Sequence, residues 1–67
     1  MQSIQHEEVT RLNLLTRDGA ISVEFRPSLD HQQYSELLTL VDEFDSIAVA
    51  KALIVDAAKR WERDVEF

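Results

Sequence analysis

Apolar and polar residues alternate over residues 9–26, on both sides of the dipeptide Asp18-Gly19. Asp-Gly tolerates the positive φ angles of a two-residue type I′ turn, so the pattern predicts a β-hairpin with Asp18-Gly19 as its loop. The cross-strand pairs of that register are Arg17–Ala20, Thr16–Ile21, Leu14–Val23 and Leu12–Phe25. The apolar members share one face, and the opposite face holds Arg11, Asn13, Leu15, Ser22, Glu24 and Arg26.

The periodicity changes after Pro27, which cannot donate to a strand ladder and therefore ends the second strand. Asp30 is a favourable N-cap, and Gln33 has the spacing of a capping box. Apolar residues then recur at i, i+3, i+4, i+7 and i+10, which predicts a helix over 30–44. The members of this apolar stripe are Tyr34, Leu37, Leu38, Val41 and Phe44.

A second helix is predicted over 46–64. Its first half is apolar in almost every direction, and its alanines favour a helix over the buried strand that a short apolar run also allows. Asp42, Glu43 and Asp45 favour a break before this helix, because carboxylates stabilise a helix N-terminus rather than a C-terminus. The alternatives are one kinked helix from His31 to Arg63 and an extended tail over 64–67.

The predicted fold class is therefore α+β: a hairpin over 9–26 followed by two helices (ββαα) in two layers. It forms one domain over 9–67, preceded by a mobile polar arm over 1–8. With 67 residues and no cysteine, the chain has a small core and no disulfide to support it.

Oligomerisation is the remaining common way to stabilise so small a domain. One hairpin and one helix cannot cover a second helix that is apolar all round, so we expect a homodimer. The predicted dimer interface consists of Val49, Ala52, Leu53, Val55 and Trp61.

The net charge of −6 disfavours non-specific binding to nucleic acid or to anionic membranes. It is compatible with a basic protein partner, for which the candidate contact residues are Glu36, Asp42, Glu43 and Asp45. Solvated helix surface is the alternative interpretation of these acids. No apolar run is long enough to span a bilayer, and the N-terminus has no signal-peptide pattern, so a cytoplasmic location without membrane attachment is expected.

Motifs for chemistry are lacking in the sequence. His6 and His31 have no metal-ligand spacing, no serine or threonine lies in a nucleophile motif, and there is no glycine-rich phosphate loop. The sequence therefore predicts no catalytic residue, no cofactor and no metal site. The leading hypothesis is a non-catalytic regulator, inhibitor or adaptor that acts as a homodimer and binds another protein.

The order strand, Pro27, helix, helix resembles that of ribbon-helix-helix repressors and antitoxins, over residues 21–61. The resemblance implies that the strand at 21–26 pairs with the strand of a second subunit and enters the major groove of DNA. Arg11, Asn13, Ser22 and Arg26 would then form the nucleic-acid face. The chain differs from that family in its intrachain hairpin, its acidic charge and its lack of glycine between the helices, so DNA binding is the alternative hypothesis.

Overall fold

The computed structural model describes residues 8–67 and has the predicted α+β architecture. Its elements are β1 (Thr10–Thr16), β2 (Gly19–Arg26), α1 (His31–Leu40), α2 (Ile47–Trp61) and β3 (Asp64–Glu66). A 3-10 turn over Val41–Glu43 follows α1. The predicted arm over 1–8 lies outside the described residues except for Glu8.

The three strands form an antiparallel sheet in the order β1-β2-β3. Two hydrogen bonds connect the segment that contains α1 to the ends of β1. Before α1, Leu29 N donates to Thr10 Oγ1 at 2.9 Å, and after α1 the Phe44 carbonyl accepts from Arg17 N at 3.4 Å. This segment therefore runs along β1. Helix α2 runs along β2, since it begins at the hairpin turn and ends at Trp61, whose ring lies 6.2 Å from that of Phe25.

The core lies between the sheet and the two helices. Phe25 from β2, Leu37 from α1 and Ile54 from α2 are its largest fully buried side chains. Leu14, Ile21 and Val23 complete the buried face of the hairpin, which is the face that the alternation predicts.

The hairpin turn is Arg17-Asp18, so the prediction of Asp18-Gly19 is wrong. The observed pairs are Thr16–Gly19, Leu14–Ile21, Leu12–Val23 and Thr10–Phe25, a shift of two residues from the predicted register. A shift of two leaves every side chain on its predicted face, so hydrophobic alternation cannot distinguish the two registers. The positive φ lies at Gly19 (+148°), the first residue of β2, and not at Asp18.

Contacts around Asp18 explain this register. The Thr16 hydroxyl lies 3.2 Å from Asp18 N, and the Asp18 carboxylate accepts a hydrogen bond from Ile47 N at 3.0 Å. The first contact is a hydrogen bond within the turn, of the kind that a threonine hydroxyl makes to the backbone N–H two residues later. The second satisfies a free N–H at the beginning of α2, so the turn is held by a residue 29 positions along the chain.

The capping box of α1 is present: Gln33 N donates to Asp30 Oδ1 at 2.8 Å, and Asp30 N to Gln33 Oε1 at 3.1 Å. The α-helix ends at Leu40, earlier than predicted, and the break before α2 is confirmed with Ser46 as N-cap. The predicted apolar stripe is only partly correct. Leu37 and Phe44 are buried, whereas Tyr34 and Leu38 are exposed, because α1 turns that flank away from α2.

Helix α2 ends at Trp61 rather than at 64. Glu62 adopts a left-handed conformation (φ 60°, ψ 47°), with Glu62 N bonded to the Lys59 carbonyl and Arg63 N to the Ala58 carbonyl. This arrangement is a Schellman cap, which usually contains glycine, so the composition does not reveal it. The cap reverses the chain, and Asp64–Glu66 pairs with β2 as a third strand instead of ending as a free tail.

We expect Gly19→Val to destabilise the fold by at least about 1 kcal/mol, because a β-branched residue resists positive φ. An added Cβ would also lie 3.4 Å from Ile47 Cδ1. Ala20→Val, at the next and exposed position of β2, is the matched control. Urea denaturation measures both variants, and equal midpoints would contradict the proposed constraint.

Candidate interaction surfaces

On the outer face of the sheet, which no helix of residues 8–67 covers, the charged side chains are arranged around Glu24. Arg11 Nε donates to Glu24 Oε1 at 2.8 Å, and Arg26 Nη2 donates to Glu24 Oε2 at 2.6 Å. The hydrogen bond from Arg11, with smaller contributions from the charge of Arg11 and from Arg26, lowers the pKa of Glu24 below its ordinary value of 4.5. Both arginines thus pair with Glu24 while their side chains stay exposed to solvent.

The four residues proposed as a nucleic-acid face do lie together on this surface. Ser22 Oγ donates to Asn13 Oδ1 at 2.7 Å, in keeping with the observed cross-strand pairs Asn13–Ser22 and Arg11–Glu24. The third strand places Glu66 opposite Glu24 and Asp64 opposite Arg26. A shallow cavity of about 410 Å³ on this face is therefore lined by carboxylates as well as by Arg11.

Strand β2 is paired on both of its edges, with β1 and with β3. In the ribbon-helix-helix arrangement the equivalent strand must pair with a second subunit. Strand β3 occupies the second edge of β2 only over Glu24–Arg26, so the full pairing implied by the resemblance over residues 21–26 would require β3 to be displaced.

The acidic candidates are not one cluster. Glu36 accepts a hydrogen bond from Trp61 Nε1 at 2.9 Å, which gives it a structural role between the helices. Asp45 lies 3.5 Å from Arg17 of the hairpin turn, with both side chains largely exposed. Asp42 and Glu43 are exposed on the 3-10 turn, where they remain accessible to a partner.

The predicted dimer-interface residues divide into two groups. Trp61 is buried in the core of its own chain, and Leu53 is half-buried against that core, so neither offers a free apolar surface. Phe25 contacts the Trp61 ring and Glu36 accepts a hydrogen bond from its N–H within the same chain, and the place of Trp61 in a dimer interface stays a prediction. Val49 and Ala52 are exposed on α2, and Val55 is half-buried.

Four more large apolar side chains are exposed, and none of them belongs to the predicted dimer interface. Leu15 is 72% exposed, Leu38 50%, Phe67 50% and Tyr34 39%. The exposure of Leu15 could be predicted, because alternation places it on the polar face of the hairpin. That of Leu38 and Tyr34 could not, because helical periodicity alone does not say which flank of a stripe meets the sheet.

Residues 8–67 contain no group of three or more acidic or histidine side chains placed to hold a metal ion. His31 is exposed at the beginning of α1, and His6 lies outside the described residues. Among the helices of the same range, none has the length and apolarity needed to cross a membrane.

Comparison with known proteins finds no matching family model, no similar curated protein and no similar solved structure.

The ion pairs of Glu24 predict how stability depends on pH. Because the pKa of Glu24 is lowered in the folded state, its stabilising contribution is complete above the unfolded-state value of 4.5 and is lost as pH falls through the folded-state pKa. Glu24→Gln should therefore lower the melting temperature at neutral pH, and the difference from the wild type should shrink as the pH falls below 4.5. Thermal melts of both proteins across this range test it. A difference that is the same at every pH would show that the charge of Glu24 does not contribute.

Proposed function

We propose that this chain is a small non-catalytic protein–protein interaction module that acts as a regulator, inhibitor or adaptor and works as a homodimer. The observation that carries the proposal is the set of large apolar side chains exposed on so small a domain. They occur on both layers: Leu15, Tyr34, Leu38, Val49 and Phe67. Adjacent exposed apolar side chains favour a contact surface over a purely solvated one, and Tyr34 and Leu38 lie one turn apart on α1.

The small size of the domain supports the homodimer. Without disulfides, a chain of 67 residues relies on one core for its stability. Burial of each exposed Leu or Val in an interface would contribute roughly 1.5–3 kcal/mol, which is a large fraction of the stability of a small domain. Self-association therefore gives the exposed apolar residues a stabilising role.

The charge distribution supports a basic protein as the second partner. Asp42 and Glu43 are exposed on the 3-10 turn, and the net charge is −6. Neither side chain has a hydrogen bond or ion pair that fixes it within residues 8–67. Accessible acids of this kind increase the association rate with a basic surface.

The partner proposal is tested by affinity capture from native lysate with quantitative mass spectrometry. Glu43→Lys should deplete the captured partner, because it reverses an accessible charge. Asp56→Lys makes the same charge change on α2, where Asp56 pairs with Arg60 at 3.6 Å, and should retain the partner. Glu36 is unsuitable for this test, since its reversal would also break the bond to Trp61. The proposed acidic contact would be contradicted if the wild-type chain captured no protein beyond those that the tag alone captures. It would also be contradicted if Glu43→Lys and Asp56→Lys reduced the captured partner equally.

A further inference from the structure

The two edges of the sheet differ in a way that bears on self-association. Strand β3 has three residues, Asp64, Val65 and Glu66, so this edge is short and carries two carboxylates. Strand β1 has seven residues, and Arg11 is its one charged residue. Short and charged edges discourage further strand pairing, whereas a long, nearly uncharged edge permits it. Within residues 8–67 the β1 edge is thus the longest unprotected one, because the part of β2 that β3 leaves unpaired spans only residues 19–23.

The free hydrogen-bonding groups of this edge can be assigned from the register. A two-residue turn closes on the pair Thr16–Gly19, whose members face each other with both main-chain hydrogen bonds. In an antiparallel ladder the inward and outward groups alternate from there. The N–H and C=O groups that point away from β2 are therefore those of Arg11, Asn13 and Leu15.

We propose that a second copy of this chain pairs antiparallel with the β1 edge, around a two-fold axis at Asn13. In this register Asn13 lies opposite Asn13 of the second copy, and Arg11 lies opposite Leu15. Each of these three residues then donates one main-chain hydrogen bond and accepts one. The two sheets become a single six-stranded sheet. The inference rests on the self-association in the proposed function and specifies its surface.

The side chains match in this register. On the inner face Leu12 lies opposite Leu14 of the second copy, so apolar residues meet. On the outer face the aliphatic stem of Arg11 can cover Leu15 of the second copy, which is 72% exposed in the single chain. The pairing thus removes the most exposed large apolar side chain from water.

The flank of α1 provides a second contact. Glu36 faces α2 through Trp61. Tyr34 and Leu38, each two residues away, lie about 160° around the helix from it and so face the open side of β1. Both are exposed. A two-fold axis at Asn13 would bring this flank toward the same flank of the second copy.

The proposed dimer must also leave space between α1 and the same helix of the second copy. Paired strands lie about 4.8 Å apart, whereas packed helices need about 8–10 Å between their axes. Leu12, on the inner face of β1, is only partly buried. Helix α1 is thus set back from the edge, which leaves space for the helix of the second copy.

Charge favours this edge over the rest of an acidic molecule. Residues 10–17 contain Arg11 and Arg17 and no acid, although the chain carries −6 overall. In the proposed register Arg17 lies opposite Val9 of the second copy, next to its Glu8. No two like charges face each other across the axis, because Asn13 occupies it.

Light scattering after size-exclusion chromatography of the full chain, at micromolar concentration, tests the proposal. Asn13→Lys and Asn13→Asp each place two like charges face to face on the axis and should raise the dimer dissociation constant by about tenfold or more. An equal mixture of the two variants pairs Lys with Asp and should restore the dimer. Restoration requires residue 13 of the two copies to be adjacent, so loss of folding cannot imitate it.

Ser22→Lys is the matched control. Like Asn13→Lys, it removes the Asn13–Ser22 hydrogen bond and adds a lysine to the outer face, but residue 22 lies away from the axis. It should remain dimeric. If all the variants stay dimeric, the proposed edge is wrong and Val49→Asp tests the surface of α2 instead, while the proposed function stands. A monomeric wild-type chain would overturn this proposal together with the homodimer of the proposed function, leaving the partner-capture experiment to decide the rest.

Discussion

The burial of Trp61 against Phe25 connects every element of the structure. The two rings lie 6.2 Å apart at a tilt of 58°, between the end of β2 and the end of α2. An aromatic side chain of this size buries about 150–250 Å², a large share of the apolar area in so small a core. Its Nε1 also donates to Glu36 at 2.9 Å, which ties α1 to α2. One residue thereby joins the sheet to both helices.

The end of α2 at Trp61 also determines the sheet. Because Glu62 takes the left-handed conformation immediately after it, the chain reverses and Val65 pairs with Phe25 in β2. Strand β2 is then paired with β1 and, over Glu24–Arg26, with the short, charged β3. Among the described residues, the longest open edge belongs to β1. The packing of one tryptophan therefore limits the places where a second strand can add to this sheet.

Local signals in the sequence predict the elements well where the stabilising contacts are also local. The capping box of Asp30 and Gln33 and the N-cap at Ser46 each lie within a few residues of the helix that they start. Alternation correctly places Leu14, Ile21 and Val23 on the buried face. These features need no knowledge of the rest of the fold.

Prediction fails where a distant residue decides the geometry. The turn shifts by two residues because Asp18 bonds to Ile47, and alternation is insensitive to a shift of two. The end of α2 is missed because its left-handed residue is glutamate rather than glycine. Periodicity also does not reveal that Phe25 and Glu36 contact Trp61 within the same chain.

Amide hydrogen exchange along β1, followed by NMR at increasing protein concentration, tests the central claim that this edge is where two copies meet. The amides of Leu12, Leu14 and Thr16 face β2 and should be protected at every concentration. Those of Arg11, Asn13 and Leu15 should exchange rapidly in dilute solution and become protected as the dimer forms. Rapid exchange of these three amides at concentrations where the protein is dimeric would contradict the account.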